Sequence, residues 1–132
     1  MASSAFVRAC ACRTRSSALK RARCGSRGRG PCRPPEAPCP GGGESRAEAA
    51  SRYAAGLEEL LGRPEDVVLA VSHSLAVRYA LDASDGSFPA ARVTPVAHAS
   101  LHELTADAVA RAAETLRAWA GAPRFADAPR RD

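Results

Sequence analysis

The chain is poor in aromatics, has one methionine, one tryptophan and one lysine, and carries no cysteine beyond position 39. Each scarcity excludes something. No segment approaches the roughly 20 consecutive apolar residues that a membrane-spanning helix requires, so no membrane span is expected. The first residues show no sustained apolar run, which argues against a secretory signal. The five cysteines (Cys10, Cys12, Cys24, Cys32 and Cys39) form no paired C-x-x-C ligands and have no histidine nearby, so they do not read as a zinc site. The only histidines are His73, His98 and His102, which confines any histidine chemistry to the second half of the chain.

What remains is of two kinds. Nine of the nineteen basic residues precede Gly41, against one acid, Glu36, so the leading tract carries +8 and the rest −3. The tract has few large apolar side chains. It cannot offset the entropy of ordering, about 1–2 kcal/mol per residue for the backbone. Residues 1–43 are therefore expected to be a disordered, basic low-complexity tract, and residues 44–132 the folded part. Three functional readings of the tract compete with disorder: a nucleic-acid-binding arm, the zinc site that the cysteine spacing disfavours, and a transit peptide over Met1 to Cys24, which is rich in Arg, Ser and Ala and has no acid. The eighteen arginines to one lysine mark a GC-rich gene. In such a gene, an out-of-frame reading would give the composition seen from Met1 to about Pro40. No specific nucleic acid is expected as a partner. The cysteine-free body fits a cytoplasmic location.

The body reads as discrete elements. Ser45 with Glu48 three residues on is a capping box; Tyr53, Leu57, Leu60 and Leu61 then give a helix one apolar face, and Gly62 followed by Pro64 ends it. Val67 to Val71 is continuously apolar, as in a strand covered on both faces of a parallel sheet. A second helix is expected from Ser74 to Leu81, stopped by the cluster Asp82 to Gly86. Val93 to Leu104 partly alternates, and Pro95 within it suggests an edge strand. There His98 and His102 would share a side, but with no third ligand of suitable spacing no metal site is assigned. Thr105 caps a last helix through about Ala120, with Val109, Ala113, Leu116 and Ala120 on one face and Trp119 as packing.

The chemistry centres on Val67-Val68-Leu69-Ala70-Val71-Ser72-His73-Ser74, an apolar run that delivers a histidine to a helix start. There the imidazole and the free N–H groups of the helix would converge on one point, where the dipole favours an anion such as phosphate. Upstream stands Gly41-Gly42-Gly43-Glu44-Ser45, and Arg78 lies five residues after His73. From about Gly41 to Arg124 this order resembles the carboxyl-terminal half of the histidine phosphatase superfamily, the phosphoglycerate mutase-like enzymes. In them a Gly-Glu-Ser or Gly-Glu-Thr helix start precedes a hydrophobic strand ending in Ser-His or Ala-His.

The resemblance implies an α/β fold, here a partial three-layer phosphoglycerate mutase-like one. It implies phosphate monoester hydrolysis through phosphohistidine, acting on a small phosphorylated metabolite with no metal or organic cofactor. His73 would be the catalytic group that stabilises a phosphoryl oxygen, with Ser74, Arg78 and Glu44 as substrate-binding residues. The family's Arg-His-Gly, whose histidine accepts the phosphoryl group, has no counterpart among the three histidines. The chain is therefore expected to be truncated and inactive as written. Its other reading is a noncatalytic fragment, or a basic-tailed protein that binds acidic partners. An uncovered strand would also favour self-association.

Overall fold

The computed structural model of the chain describes residues 33–39 and 41–126. Three helices carry it: α1 (Arg46–Leu61), α2 (Ser74–Ser84) and α3 (Ala106–Gly121). Helix α3 lies against both others, while α1 and α2 barely meet.

Local sequence chemistry sets the ends of the helices. Ser45 caps α1 with the reciprocal bonds of a capping box: its hydroxyl accepts from the Glu48 amide at 3.2 Å, and the Glu48 carboxylate accepts from the Ser45 amide at 2.7 Å. The latter bond holds the Glu48 pKa below the ordinary glutamate range. Gly62 has a right-handed φ of −78°, so the α1 stop falls to Pro64 and not to a left-handed glycine. Helix α2 runs three residues past Leu81 and ends in a Schellman motif, in which the Gly86 amide donates to Ala83 and the Ser87 amide to Asp82. Gly86 takes a φ of +79° there, which a side chain would resist. Thr105 caps α3 by accepting from the Ala108 amide at 3.2 Å.

The core is built from small residues and a few large ones. Ala50, Ala54, Tyr79, Ala83, Ala112, Leu116 and Trp119 form one buried cluster. Helix α1 buries an alanine stripe, Ala50 and Ala54, at the centre of its contact; of the expected face Tyr53 and Leu57 pack against the edge of that core, whereas Leu61 is 38% exposed. Alanine lets α1 and α3 approach closely, and the longer α1 side chains are left beside the interface. Edge-on contacts link Tyr53 to Tyr79 and Tyr79 to Trp119, each at 6.2 Å between centroids, and Phe125 tilts onto Trp119 at 5.9 Å. The Trp119 indole N–H donates to the Arg124 carbonyl. Across the exposed side, Arg117 of α3 forks onto the Glu58 carboxylate of α1.

The strands expected at Val67–Val71 and Val93–Leu104 are not formed among the described residues. At the first, side chains do alternate in exposure: Val67, Leu69 and Val71 are 53%, 57% and 54% exposed, while Val68 and Ala70 are half-buried. The pattern of a strand is present, but a strand also needs a ladder: Val68 alone holds a bridge, and no ladder extends it among the described residues. At the second, Ala99 adopts a φ of +55° within a turn at His98 and Ala99. That turn breaks the alternation that would have set His98 and His102 on one side.

Of the expected disordered tract, residues 1–32 lie outside the described residues. Residues 33–39 fold back on α1. Pro35 is buried, and its carbonyl accepts from the Ala47 amide at 3.0 Å, serving one of the free donors of the first turn. No helix among the described residues is long and apolar enough to cross a membrane.

Candidate functional site

His73 is the residue before α2, in extended conformation (φ −92°, ψ 157°), and is exposed. Its carbonyl accepts the first helical bond, from Val77 at 3.0 Å, but its side chain makes no capping bond. The imidazole is thus left at the positive end of the helix beside the amides of the first turn, which have no acceptor within the helix. An anion seated there would meet a ring N–H and backbone N–H groups together.

Ser74 and Arg78, one turn apart, bind the polypeptide that follows α2. The Ser74 hydroxyl accepts from the Val96 amide at 2.8 Å. Arg78 donates to the Thr94 carbonyl at 3.3 Å and pairs with Asp82 at 3.0 Å. Together they hold residues 94–96 against the first turns of α2, next to His73. The Asp82 partnership was legible in the i, i+4 spacing.

Glu44 is held by α1. It receives a fork from Arg52 of α1, at 3.0 and 2.7 Å, and that guanidinium lowers the Glu44 pKa while the carboxylate raises that of Arg52. No hydrogen bond joins Glu44 to His73, Ser74 or Arg78 among the described residues. His98 is exposed, and His102 shares a 2.9 Å hydrogen bond with the Ser100 hydroxyl. Among the described residues, no group of three or more His, Cys, Asp or Glu side chains stands close enough to hold a metal ion.

Arg46 is the organising residue that sequence reasoning missed. Its guanidinium donates to the Tyr79 hydroxyl at 2.6 Å, to the Ala91 carbonyl at 2.9 Å and to the Ala90 carbonyl at 2.8 Å, and lies 4.6 Å from the Phe125 ring centroid. A signal was present: a cation in the first turn of a helix opposes the dipole, so it needs a partner outside the helix. Burial raises the Tyr79 pKa, and the Arg46 charge partly offsets this.

An apolar groove of about 540 Å³ runs between α1 and α2, bordered by Tyr53, Leu57, Leu60, Val77 and Leu81 and reaching Arg52 and, beside the α2 start, Ser72. It does not include His73, so any ligand bridging the two would have a charged end at the helix start and an apolar body along α2.

Comparison with known proteins gives one result. A family model described as the histidine phosphatase superfamily (branch 1) matches residues 25–120. No curated protein and no solved structure matches.

Proposed function

The chain belongs to the histidine phosphatase superfamily, and from that premise we propose that the start of α2 is a phosphoryl-binding site centred on His73. Membership implies a phosphoglycerate mutase-like α/β fold, and small phosphorylated compounds suit the family chemistry. The observation that carries the proposal is the exposed, uncapped imidazole of His73 at the positive end of a helix, within the matched residues.

In this reading His73 donates a hydrogen bond to a phosphoryl oxygen and the Ser74 amide donates a second, so charge that accumulates in the transition state is stabilised. The Ser74 hydroxyl and Arg78 form the wall of the site through residues 94–96, and Arg78 adds positive charge that Asp82 largely balances. Glu44 enters only as the partner of Arg52. In the complete family reaction a first histidine displaces the alcohol from phosphorus and becomes phosphohistidine. A carboxylic acid protonates the leaving oxygen, and water then takes the phosphoryl group from nitrogen. No metal or organic cofactor takes part.

The sequence holds no Arg-His-Gly, and His73 is here the oxyanion stabiliser and not the acceptor. The proposal is therefore that this chain binds phosphate esters and turns them over no faster than background. The loss of a covalent acceptor outweighs what one oxyanion donor returns, about 10²–10³ in turnover. The test has three proteins and p-nitrophenyl phosphate: the chain itself, the chain joined to an upstream segment bearing Arg-His-Gly, and that fusion with His73→Ala. Activity is expected in the second alone. Robust hydrolysis by the first that vanishes on His73→Ala would overturn the assignment, because His73 would then be the nucleophile.

A further inference from the structure

The groove between α1 and α2 reaches Ser72, the neighbour of His73, and follows α2 past Ala76, Val77, Ala80 and Leu81. Its volume of about 540 Å³ lies within the range of small-molecule pockets, and α2 rises about 10 Å between Ser74 and Leu81, the length of an extended octyl chain. The two charged side chains on its rim are already paired, Arg52 with Glu44 and Glu59 with Arg63. A ligand lying there meets walls that favour apolar surface and offer it no unpaired charge.

Gly56 is a second and independent observation. It stands in the middle of α1 on the wall of this groove, where a Cβ built onto it would meet nothing within 4 Å. Glycine there serves no turn and no close packing of helices, and it weakens α1 relative to alanine. Its one structural effect is to keep the groove open. We propose that the ester bound by this chain is a phosphate monoester of an apolar alcohol, with its phosphoryl group at the start of α2 and its hydrocarbon chain along the groove. This rests on the phosphoryl-binding reading of His73 and adds the class of alcohol to it.

The test is titration of the full chain with methyl, butyl and octyl phosphate, followed through the backbone amide resonances of Ser74 and Gly56. A fully covered methylene tightens binding about fourfold and a half-covered one about twofold, so octyl phosphate should bind about a hundredfold tighter than methyl phosphate. Methyl phosphate should shift Ser74 alone, and octyl phosphate both amides. Gly56→Leu fills the groove and favours the helix, so it should keep the helical circular dichroism spectrum and the affinity for methyl phosphate while octyl phosphate loses its advantage. His73→Ala should weaken all three esters alike. If methyl phosphate shifts Ser74 but octyl phosphate binds no tighter, or if its tight binding survives Gly56→Leu, the phosphoryl site stands and the groove proposal is overturned. If no ester shifts Ser74, or octanol binds as tightly as octyl phosphate, the phosphoryl site itself is refuted and the proposal with it.

Discussion

Replacing Arg46 by alanine should destabilise this fold more than any exposed ion pair could. Three charge-assisted hydrogen bonds end on that guanidinium, one to the hydroxyl of the buried Tyr79 and two to the adjacent carbonyls of Ala90 and Ala91. Hydrogen bonds to charged groups contribute about 1.5–3 kcal/mol each, and a buried hydroxyl stripped of its partner costs about 1–3 kcal/mol. Ala90 and Ala91 are only half-buried, so water replaces part of what they lose. The expected loss for Arg46→Ala is therefore about 3–5 kcal/mol, a large share of the 5–15 kcal/mol typical of a domain. Arg46→Lys keeps the charge but not the planar fork, and should lose about 2 kcal/mol. Tyr79→Phe removes the stranded hydroxyl, so the double variant should cost about 1–2 kcal/mol less than the sum of the single ones. Urea unfolding can be followed by the emission of Trp119, the only tryptophan, which is buried against Tyr79. A loss below about 1 kcal/mol for Arg46→Ala, or strict additivity with Tyr79→Phe, would refute this account.

Burial raises the folded-state pKa of Tyr79 above its unfolded value near 10, so its contribution is complete below that pH and is lost as pH rises through the folded value. Urea midpoints between about pH 9 and 11 should fall, and fall less in Tyr79→Phe; equal slopes would exclude the mechanism. Gly86→Ala meets open space but a φ of +79°, so it should cost about 1 kcal/mol from backbone strain alone. An unchanged urea midpoint would mean that the Schellman turn is not held in solution.

The helix ends were legible because they depend on neighbours within a few residues. Ser45 and Glu48 announce α1, Thr105 announces α3, and the cluster closing at Gly86 ends α2 within a turn of the expected place. His73 stands at the helix start for the same reason. The buried face of α1 was hidden because apolar patterning weights leucine, whereas Ala50 and Ala54, with little hydrophobic signal of their own, make the contact. Val67 to Val71 shows the opposite failure: alternation marks the side chains of a strand but says nothing about whether another strand lies alongside. Nothing at Ala99 warns of a left-handed backbone, since alanine has no preference for one. The partners of Arg46 lie more than thirty residues away and have no local imprint.

The alanine seam between α1 and α3 also has a bearing on how this sequence can diverge. Only glycine is smaller than alanine, and glycine weakens a helix by about 1 kcal/mol. Every other replacement at Ala50, Ala54 or Ala112 adds volume where none is free, at roughly 1–3 kcal/mol each. Substitutions there are closed off in both directions. The groove residues Leu57, Leu60, Val77 and Leu81 are only partly buried and border open space, so they can exchange size and shape without disturbing the helix pair. Drift is thereby channelled away from the seam and onto the walls of the groove, leaving a rigid frame whose variable surface runs beside the start of α2.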